Sequence, residues 1–475
     1  MNTQNTLIIE PHFHEINYPY RYSLGLAYIS TQISKYGCIE IIDFHVNRKI
    51  NSYDEFREEE KKFFKRIINK SKDFDIIAIT SSLGTYPRAI KIARLVNNKR
   101  VIIGGPHISL LLRTNKWKDS VFQDSNYSID VAFNGEADYS INELYKFFTN
   151  KADIRLSEIS GISYYSNNTI KHNQYKPIKN LNFIEFPKWD LFPAKINIGF
   201  ITTSRGCPHN CTFCDERLLF PTYRFRSVQN IISEIIYNRD NYHIQRYRFS
   251  DSSLTSNPNL PELCKEIISQ DLSISWLCYA SINDLFRNMK LIPLMKSAGC
   301  KALYLGFESG NNNILKKIRK EITTEMAYKV VSMAREYDLK LKGSFILGLP
   351  GESELTIQDT IIFAKKLDLD VINWHILAPG IRYLNTTAED WNIDWKYADL
   401  DIPNRFFSEH ALRNELIRKN IWIERHTGAK EKSVPNNLPL HLSGLTYKTL
   451  YKWLHKAIIS TKQNTELEPF LILNY

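Results

Sequence analysis

The sequence contains no long hydrophobic run and no secretory signal. No stretch of about 18 consecutive apolar residues occurs, so no membrane-spanning helix is predicted. Residues 1–5 carry neither the basic nor the apolar region of a signal peptide. With 43% hydrophobic and 24% charged residues, the chain has the composition of a globular protein. We therefore predict a cytoplasmic protein of two or three domains.

Cysteine is scarce and unevenly placed. The 475 residues include seven cysteines, an odd number, and three of them fall close together. This distribution argues against a disulfide framework and favours a reducing compartment. The four cysteines outside the cluster lie in apolar segments and are predicted to be buried thiols: Cys38, Cys264, Cys278 and Cys300.

A dedicated RNA-binding motif is also missing. The formal net charge is +11, but lysine and arginine are spread along the chain, with only modest clusters such as residues 316–320. We therefore predict a solvated basic surface and no nucleic-acid partner. The charge would suit an anionic substrate without requiring one.

The first 150 residues alternate short apolar runs with helical patterns such as residues 23–36 and 87–96. Strands separated by helices are typical of an α/β fold with a doubly wound, Rossmann-like parallel sheet. Such sheets bind ligands beyond the carboxyl ends of their strands. The predicted strands are residues 6–10, 39–43, 75–80, 100–104 and 129–133.

Residues 151–198 are predicted to form a connector with a β-hairpin, in which Asn167 and Asn168 make the turn. Residues 199–380 then alternate six strands with amphipathic helices. Repeated βα units close into a barrel with its active-site loops at the carboxyl ends of the strands, and six units predict an open, partial (βα)6 TIM-type barrel. Its strands are predicted at residues 199–204, 247–251, 274–280, 302–307, 343–347 and 371–377.

Residues 381–475 lose the strand–helix rhythm. Helices are predicted at residues 409–424 and 446–459, so this region is mainly helical. We predict that it caps the barrel and shapes the substrate pocket. Four tryptophans add apolar bulk to it: Trp391, Trp395, Trp422 and Trp453.

The cysteine cluster has the spacing C-x-x-x-C-x-x-C and directly follows the first predicted barrel strand, with Cys207, Cys211 and Cys214. An iron–sulfur cube normally takes four thiolates, and a structural zinc ion takes four ligands. Three cysteines therefore leave one metal position open, as a catalytic centre does. The alternatives are a zinc site with His209 as fourth ligand, or cysteines that only pack. A position at a barrel strand end favours the catalytic interpretation.

This spacing, with an aromatic residue just before the last cysteine, resembles the radical S-adenosylmethionine enzymes. The resemblance implies that the three thiolates hold a [4Fe–4S] cluster whose free iron binds S-adenosylmethionine. It places Asp251 near the methionine ammonium group and Glu308 near a ribose hydroxyl. Phe213, Gly343 and Gly348 are the other implied contacts of S-adenosylmethionine.

The N-terminal half carries LGLAY at residues 24–28, IID at 41–43, IGGPH at 103–107 and GE at 135–136. With these pieces it resembles the cobalamin-binding domain that precedes many radical S-adenosylmethionine domains. The family's D-x-H-x-x-G motif does not follow the first strand. Asp43 and His45 supply D-x-H after the second strand, but Arg48 replaces the glycine, so we predict that His45 does not ligate cobalt. The implied cobalamin contacts are Ser82, Gly84, Thr85, Gly104, Gly105, Gly135 and Glu136.

The resemblance implies that an electron from the cluster cleaves S-adenosylmethionine to a 5′-deoxyadenosyl radical, which removes hydrogen from an unactivated carbon. Methylcobalamin would then deliver a methyl group to a small-molecule substrate, with flavodoxin or ferredoxin as reductant. One alternative is a cobalamin-free cyclase, rearrangement or dehydration enzyme with a degenerate N-terminal domain. A tRNA methylthiotransferase would need three further cysteines in an N-terminal cluster, which the sequence does not show.

Overall fold

The computed structural model describes residues 3–15, 22–48, 50, 53–114, 118–377, 445 and 447–461. These residues divide into two compact units. The first holds residues 3–179 and 183–196, and the second holds residues 180–182 and the described residues from 197 on. No helix in these ranges is long and apolar enough to cross a membrane. The predicted helix at residues 409–424 and three of the four C-terminal tryptophans lie outside the described residues.

The first unit contains seven strands and six helices among its described residues: β1 (Thr6–Glu15), α1 (Leu24–Ile33), β2 (Ile39–Val46), α2 (Tyr53–Ser71), β3 (Ile76–Thr80), α3 (Tyr86–Leu95), β4 (Arg100–Gly104), α4 (Pro106–Leu112), α5 (Ser120–Asp124), β5 (Val131–Phe133), α6 (Ser140–Phe148), β6 (Ile162–Ser166) and β7 (Thr169–His172). The strands form one sheet in the order β2-β1-β3-β4-β5-β6-β7. Strands β1 to β5 are parallel, in the flavodoxin-like doubly wound order. The predicted parallel sheet is confirmed.

The hairpin β6–β7 continues this sheet, because β6 pairs antiparallel with both β5 and β7. Asn167 and Asn168 make the turn with φ values of 50° and 58°. Asparagine tolerates this left-handed backbone better than most residues. The hairpin predicted within a connector is therefore part of the first sheet.

The second unit contains the barrel strands and their helices: β8 (Gly199–Ile201), β9 (Ser204–Arg205), α7 (Glu216–Leu219), β10 (Arg224–Phe225), α8 (Val228–Tyr242), β11 (Arg246–Phe249), α9 (Leu260–Ser269), β12 (Ser275–Ala280), α10 (Ile282–Arg287), α11 (Leu291–Ser297), β13 (Cys300–Glu308), α12 (Asn312–Lys317), α13 (Thr324–Glu336), β14 (Lys340–Leu347), α14 (Glu354–Lys366), β15 (Val371–Ile376) and α15 (Tyr447–Ser460). Six strands form a parallel sheet in chain order, β8-β11-β12-β13-β14-β15. This order confirms the partial barrel.

Alternating side chains give the barrel sheet two different faces. Phe345 of β14 stacks on Phe307 of β13 and on Trp374 of β15, and packs edge-on against Phe363 of α14. On β11, the Tyr247 hydroxyl donates to a backbone carbonyl of α8. These residues mark the face that the helices cover. Because successive side chains of a strand point to opposite faces, the residues between them lie on the inner face.

The predicted C-terminal helix is confirmed as α15, which packs against β15 and α14. The Trp453 indole N–H donates to Glu354 Oε2 (2.8 Å), and that of Trp374 donates to Thr461 Oγ1 (3.1 Å). The helix therefore packs against the last strand and the helix before it in the barrel sheet.

Two local predictions need correction. Cys264, Cys278 and Cys300 are buried, but Cys38 is exposed because it lies in the turn before β2. The first barrel strand ends at Ile201 rather than at residue 204, because the next residues bond to side chains instead of to a neighbouring barrel strand.

Candidate active site

The cysteine loop follows β8, the first barrel strand, and tight contacts shape it at both ends. Gly206 adopts a φ of +94°, and a Cβ there would lie 2.8 Å from the Thr222 carbonyl oxygen. Only glycine fits this turn without strain. Further along, the Thr212 amide donates to the Ile318 carbonyl oxygen at 3.0 Å. The loop is thereby fixed on both sides of Cys207.

The three cysteines of the loop fit a cluster with thiolate ligands. None of the three forms a disulfide, and all three are half-buried. Burial raises the pKa of Cys207 to about 11 and that of Cys214 to about 12, and it also raises the pKa of Cys211. Each thiol therefore keeps its proton until a metal displaces it. Cysteine thiolates are the ligands of iron–sulfur clusters, so these residues would hold three irons of the [4Fe–4S] group.

His209, the fourth ligand of the zinc alternative, has other partners. Its Nε2 lies 3.2 Å from Asp284 Oδ2 and 3.2 Å from Ser256 Oγ. Burial raises the pKa of Asp284, but the hydrogen bonds from His209 and Ser256 outweigh this effect and lower it overall. His209 Nε2 therefore already contacts two polar side chains, which favours a structural role for this ring over a place as the fourth zinc ligand.

Asp251, the predicted ammonium contact, is saturated by protein donors. It is 1% exposed and accepts hydrogen bonds from the Thr203 amide (3.1 Å), the Thr203 hydroxyl (2.7 Å) and the Ser204 hydroxyl (2.5 Å). Asn257 in turn donates to the Thr203 hydroxyl at 2.7 Å. Burial raises the pKa of Asp251. Asp251 therefore holds the chain that leads into the cysteine loop, and its contact with the methionine ammonium group stays a prediction.

Glu308 ends β13 in a left-handed conformation with a φ of +62°, which is uncommon for a residue other than glycine. The pairing of β13 with β14 shifts register between Gly306 and Glu308. This irregularity lies at the carboxyl end of the strand, where barrels place their chemistry. Glu308 therefore lies where the prediction requires, and its contact with S-adenosylmethionine stays a prediction.

Lys320 is a residue of the site that the sequence did not reveal. Its Nζ lies 2.7 Å from Glu308 Oε1, and the two side chains are only 18% and 8% exposed. The same Nζ lies 5.9 Å from the ring centroid of Phe213. Burial lowers the pKa of Lys320, but Glu308 and the Cys211 thiol together outweigh burial and raise it. No sequence pattern indicated this role for Lys320. It ends the basic cluster of residues 316–320, which is typical of a solvated surface.

The two predicted glycine contacts have different surroundings. A Cβ on Gly343 would collide with Leu369 and meet Phe307 on the helix-covered face, so this glycine lets the helical layer pack closely, and its contact with S-adenosylmethionine stays a prediction. Gly348 follows β14 with a φ of +88°, and its amide donates to Glu352 Oε2 at 2.6 Å. Gly348 thus keeps the strand-end position predicted for it.

The loops after β3 and β4 fit a ligand that lies flat against backbone. Ser82 and Thr85 cap each other around a tight turn that includes Gly84, with the Ser82 amide 2.9 Å from Thr85 Oγ1. Gly105 adopts a φ of +112°, and a Cβ there would collide with the Ser81 carbonyl oxygen. A Cβ on Gly104 would meet only Phe133, at an ordinary 3.5 Å. Gly104 is therefore the more open of the two glycines.

Gly135 and Glu136, predicted as cobalamin contacts, lie against protein side chains. A Cβ on Gly135 would collide with the Arg113 guanidinium and meet the Tyr175 ring. Glu136 Oε2 accepts hydrogen bonds from the Tyr175 hydroxyl (2.6 Å) and the Ile178 amide (3.1 Å). These contacts fill the space at the end of β5. Both residues therefore help to hold the segment after β7, and their contact with cobalamin stays a prediction.

Comparison with known proteins agrees with this architecture. Residues 201–364 match the Radical SAM superfamily. An uncharacterized methyltransferase, PH0819, of Pyrococcus horikoshii is 31% identical over 450 residues, which cover 92% of this chain and 87% of the relative. The anaerobic magnesium-protoporphyrin IX monomethyl ester cyclase of Rubrivivax gelatinosus is 24% identical over 395 residues, covering 78% and 68%.

A solved structure shares the fold. The radical S-adenosylmethionine methyltransferase TsrM from Kitasatospora setae, with cobalamin and a [4Fe-4S] cluster bound, superposes with a TM-score of 0.61 at 15% identity, covering 79% of this chain and 75% of that one. Residues 201–364, which match the family, contain all three cysteines of the loop and the Glu308–Lys320 pair. The chain therefore belongs to the radical S-adenosylmethionine superfamily, as an enzyme with a cobalamin-binding-like domain ahead of its barrel.

Proposed function

We propose that this enzyme is a cobalamin-dependent methyltransferase that acts on an unactivated carbon of a small molecule. The observation that carries the proposal is the set of three half-buried thiols, none in a disulfide, in the loop after the first barrel strand, in a chain whose first unit has a flavodoxin-like sheet. When bound, the [4Fe–4S] cluster would supply the electron that cleaves S-adenosylmethionine, and cobalamin would supply the methyl group.

The residues around the thiols bind and orient S-adenosylmethionine in this proposal. Glu308 accepts a hydrogen bond from a ribose hydroxyl, and Lys320 holds the Glu308 carboxylate in place through their ion pair. Phe213 and Gly348 contact the adenosine. An external reductant is needed, and we propose flavodoxin or ferredoxin for this role.

The relatives' names support methyl transfer but also keep one alternative open. The relative that covers 92% of this chain is named a methyltransferase. The cyclase that covers 78% of it favours the second candidate function, a radical cyclisation without methyl transfer. The presence or absence of bound cobalamin distinguishes the two candidates.

The test is anaerobic purification of the full chain from cells supplied with cobalamin, with iron, sulfide and corrinoid quantified together. We expect about four irons and four sulfides per chain, bound corrinoid, and release of 5′-deoxyadenosine after reduction with S-adenosylmethionine. The Cys207→Ala, Cys211→Ala and Cys214→Ala variants should lose the cluster absorbance. Cys38→Ala, at an exposed cysteine outside the loop, is the matched control.

Two results would decide against the proposal. Cleavage of S-adenosylmethionine by corrinoid-free protein would favour the cyclase alternative. An intact cube in a variant without all three cysteines would remove the cluster assignment itself.

A further inference from the structure

The basic cluster of residues 316–320 has an exposed part at the end of α12. Lys316 and Lys317 are the last two residues of this helix, and both are exposed, as is Arg319. We call Lys316, Lys317 and Arg319 the basic patch. Within the described part of the chain, no carboxylate forms an ion pair with these three side chains. The basic patch therefore presents positive charge to solvent on the second unit.

The backbone of the basic patch is bonded directly to the cysteine loop. The Ile318 carbonyl oxygen accepts hydrogen bonds from the Thr212 amide (3.0 Å) and the Thr212 hydroxyl (3.3 Å). Both residues are buried. Ile318 lies between Lys317 and Arg319 in the chain, and Thr212 directly follows Cys211. One hydrogen bond therefore joins the patch to the neighbour of a thiol that would hold the cluster.

Charges next to the basic patch act on the same thiol. Burial is the largest cause of the raised pKa of Cys211, followed by the lowering effect of Lys320 and the raising effects of Glu308 and Glu321. Glu321 is exposed, so the surface at this segment lies close to the cysteine loop. Lys320 is paired with Glu308, and Glu321 offsets one cation of the patch. The exposed surface therefore keeps a net positive charge.

We propose that the basic patch is the docking surface for an acidic protein that delivers one electron to the cluster. The carrier is oxidised by one electron and the cluster is reduced by one, and no covalent bond forms or breaks in this step. The need for a carrier rests on the proposed function, because the cleavage of S-adenosylmethionine consumes an electron.

The position and the charge of the patch both suit this partner. Electron transfer slows steeply with distance, so the carrier has to dock on a surface close to the cysteine loop. Opposite charges on two proteins speed their encounter and select their relative orientation. Complexes with electron carriers are small and short-lived, so a few exposed cations are enough to guide one.

The first test measures binding of two acidic carriers, an oxidised flavodoxin and an oxidised ferredoxin, to the reconstituted full chain by titration calorimetry. We expect at least one of them to bind, with an affinity that falls as salt is added, because salt screens exposed charges. The variant Lys316→Gln/Lys317→Gln/Arg319→Gln should bind that carrier about tenfold more weakly. Equal affinity of the two proteins, or no binding of either carrier, would overturn the proposal.

The matched control removes three exposed lysines from other parts of the second unit. It combines Lys265→Gln on α9 with Lys365→Gln and Lys366→Gln in the last turn of α14, and it should bind the carrier as wild type does. Equal weakening in the control would mean that only total charge matters, which contradicts a defined docking surface. A transfer RNA that binds the patch in place of both carriers would assign the patch to nucleic acid.

The rate of cluster reduction tests the consequence of docking. Mixed anaerobically with the reduced carrier, the patch variant should be reduced about tenfold more slowly than wild type at carrier concentrations below saturation. Dithionite is a small reductant that needs no docking surface, so it should reduce both proteins at the same rate. Equal slowing with dithionite would place the effect in the cluster itself and would contradict docking at the patch.

A further measurement needs no variant and so does not depend on the folding of one. A carbodiimide joins lysine amines to carboxylates that touch them, and mass spectrometry identifies the residues joined. In the wild-type chain mixed with the carrier, Lys316 or Lys317 should be linked to a carboxylate of the carrier, and Lys365 and Lys366 should not. Links at Lys365 or Lys366 without any at the patch would decide against the proposal.

These measurements separate the docking surface from the proposed function. If a carrier docks at the patch and reduces the cluster but the protein binds no corrinoid, the proposed methyltransferase function fails and the docking surface stands. If dithionite-reduced protein cleaves S-adenosylmethionine but no carrier docks at the patch, only the docking surface fails.

Discussion

At the scale of single residues, buried charges hold the candidate site together. Asp251 binds Thr203 and Ser204 from the end of β11, and Arg226 Nη1 donates to the Thr202 carbonyl oxygen at 2.9 Å. Arg226 is itself paired with the fully buried Glu234. The segment entering the cysteine loop is therefore fixed from two sides. Less conformational entropy is then lost in the loop when the cluster forms.

The Glu308–Lys320 ion pair gives the first prediction. Glu308→Ala leaves a largely buried lysine without its partner, which typically costs about 3–5 kcal/mol of stability. The double variant Glu308→Gln/Lys320→Gln should recover part of that loss, because no unpaired charge remains. Affinity for S-adenosylmethionine should fall about tenfold or more in both variants.

Denaturant unfolding and equilibrium binding check this prediction, with Glu325→Gln/Lys329→Gln, an exposed pair on α13, as the control. If the double variant binds S-adenosylmethionine as wild type does, the pair serves stability alone.

The Asp251 carboxylate gives the second prediction. Asp251→Asn replaces an acceptor oxygen with a donor that faces the donors on Thr203 and Ser204. We expect a loss of about 1–3 kcal/mol in stability and faster hydrogen exchange of the Thr203 amide. Iron content after reconstitution should fall, because the cysteine loop loses its fixed entry. Asp240→Asn, at an exposed acid of α8, is the control. Unchanged Thr203 exchange would contradict the positioning role.

At the scale of elements, four barrel strands end in loops whose backbone amides are bonded to side chains: β8, β12, β13 and β14. The loop between β14 and α14 shows this most directly, since Glu352 Oε2 accepts from the amides of Gly348 (2.6 Å) and Leu349 (3.0 Å). Burial raises the pKa of Glu352 from 4.5 to about 8, against the lowering effect of these two bonds. The carboxyl group is therefore neutral in the folded protein near pH 7.

This pKa shift gives the third prediction. Because the folded-state pKa lies above the unfolded value, the folded protein holds the proton more tightly. The contribution of the Glu352 carboxyl group to the free energy of unfolding is present at low pH, and it is lost as the pH rises from about 4.5 through about 8. Each pH unit in this window costs up to about 1.4 kcal/mol.

Glu352→Gln mimics the neutral acid and should remove this pH dependence, so the variant should gain stability relative to wild type between pH 6 and pH 8. Denaturant midpoints at the two pH values measure the effect. Glu262→Gln, at an exposed acid on α9, should keep the wild-type slope. A slope that persists in Glu352→Gln would assign the pH dependence to other groups.

At the scale of the whole molecule, two α/β units with different sheet orders present loops at the carboxyl ends of their parallel strands. In the first unit the strand order reverses between β1 and β3, which is where doubly wound sheets bind ligands. The loops after β3 and β4 lie at this edge of the sheet. Cobalamin binding by the first unit can therefore be tested without disturbing the barrel.

The fourth prediction concerns these loops. A large side chain in Gly104→Phe should lower corrinoid content several-fold, because it occupies the open backbone where a flat ring would lie. Iron and sulfide content should stay at wild-type values. His45→Ala should leave the corrinoid content and the cobalt spectrum unchanged, since Asp43 and His45 lie within β2.

Gly105 is unsuitable for this test. Its positive φ and the nearby Ser81 carbonyl oxygen make any side chain disruptive to the fold. Corrinoid content equal to wild type in Gly104→Phe would remove this loop from the proposed cobalamin site.

The sequence by itself determined the class of both folds and the identity of the cysteine loop. Period-two and helical patterns reveal strands and helices because burial on one face repeats along the chain. The C-x-x-x-C-x-x-C spacing is likewise local. Asn167 and Asn168 predicted their turn for the same reason. Asparagine itself tolerates the left-handed backbone that the turn requires, so no distant contact had to be known.

Only the tertiary structure decided what each polar residue at the strand ends contacts. Lys320 and Glu308 meet through the return of the chain after α12, and Asp251 meets Thr203 across two neighbouring strands. Such contacts depend on the register and closure of the sheet, which no local pattern encodes, so a buried ion pair and a surface charge look alike in the sequence.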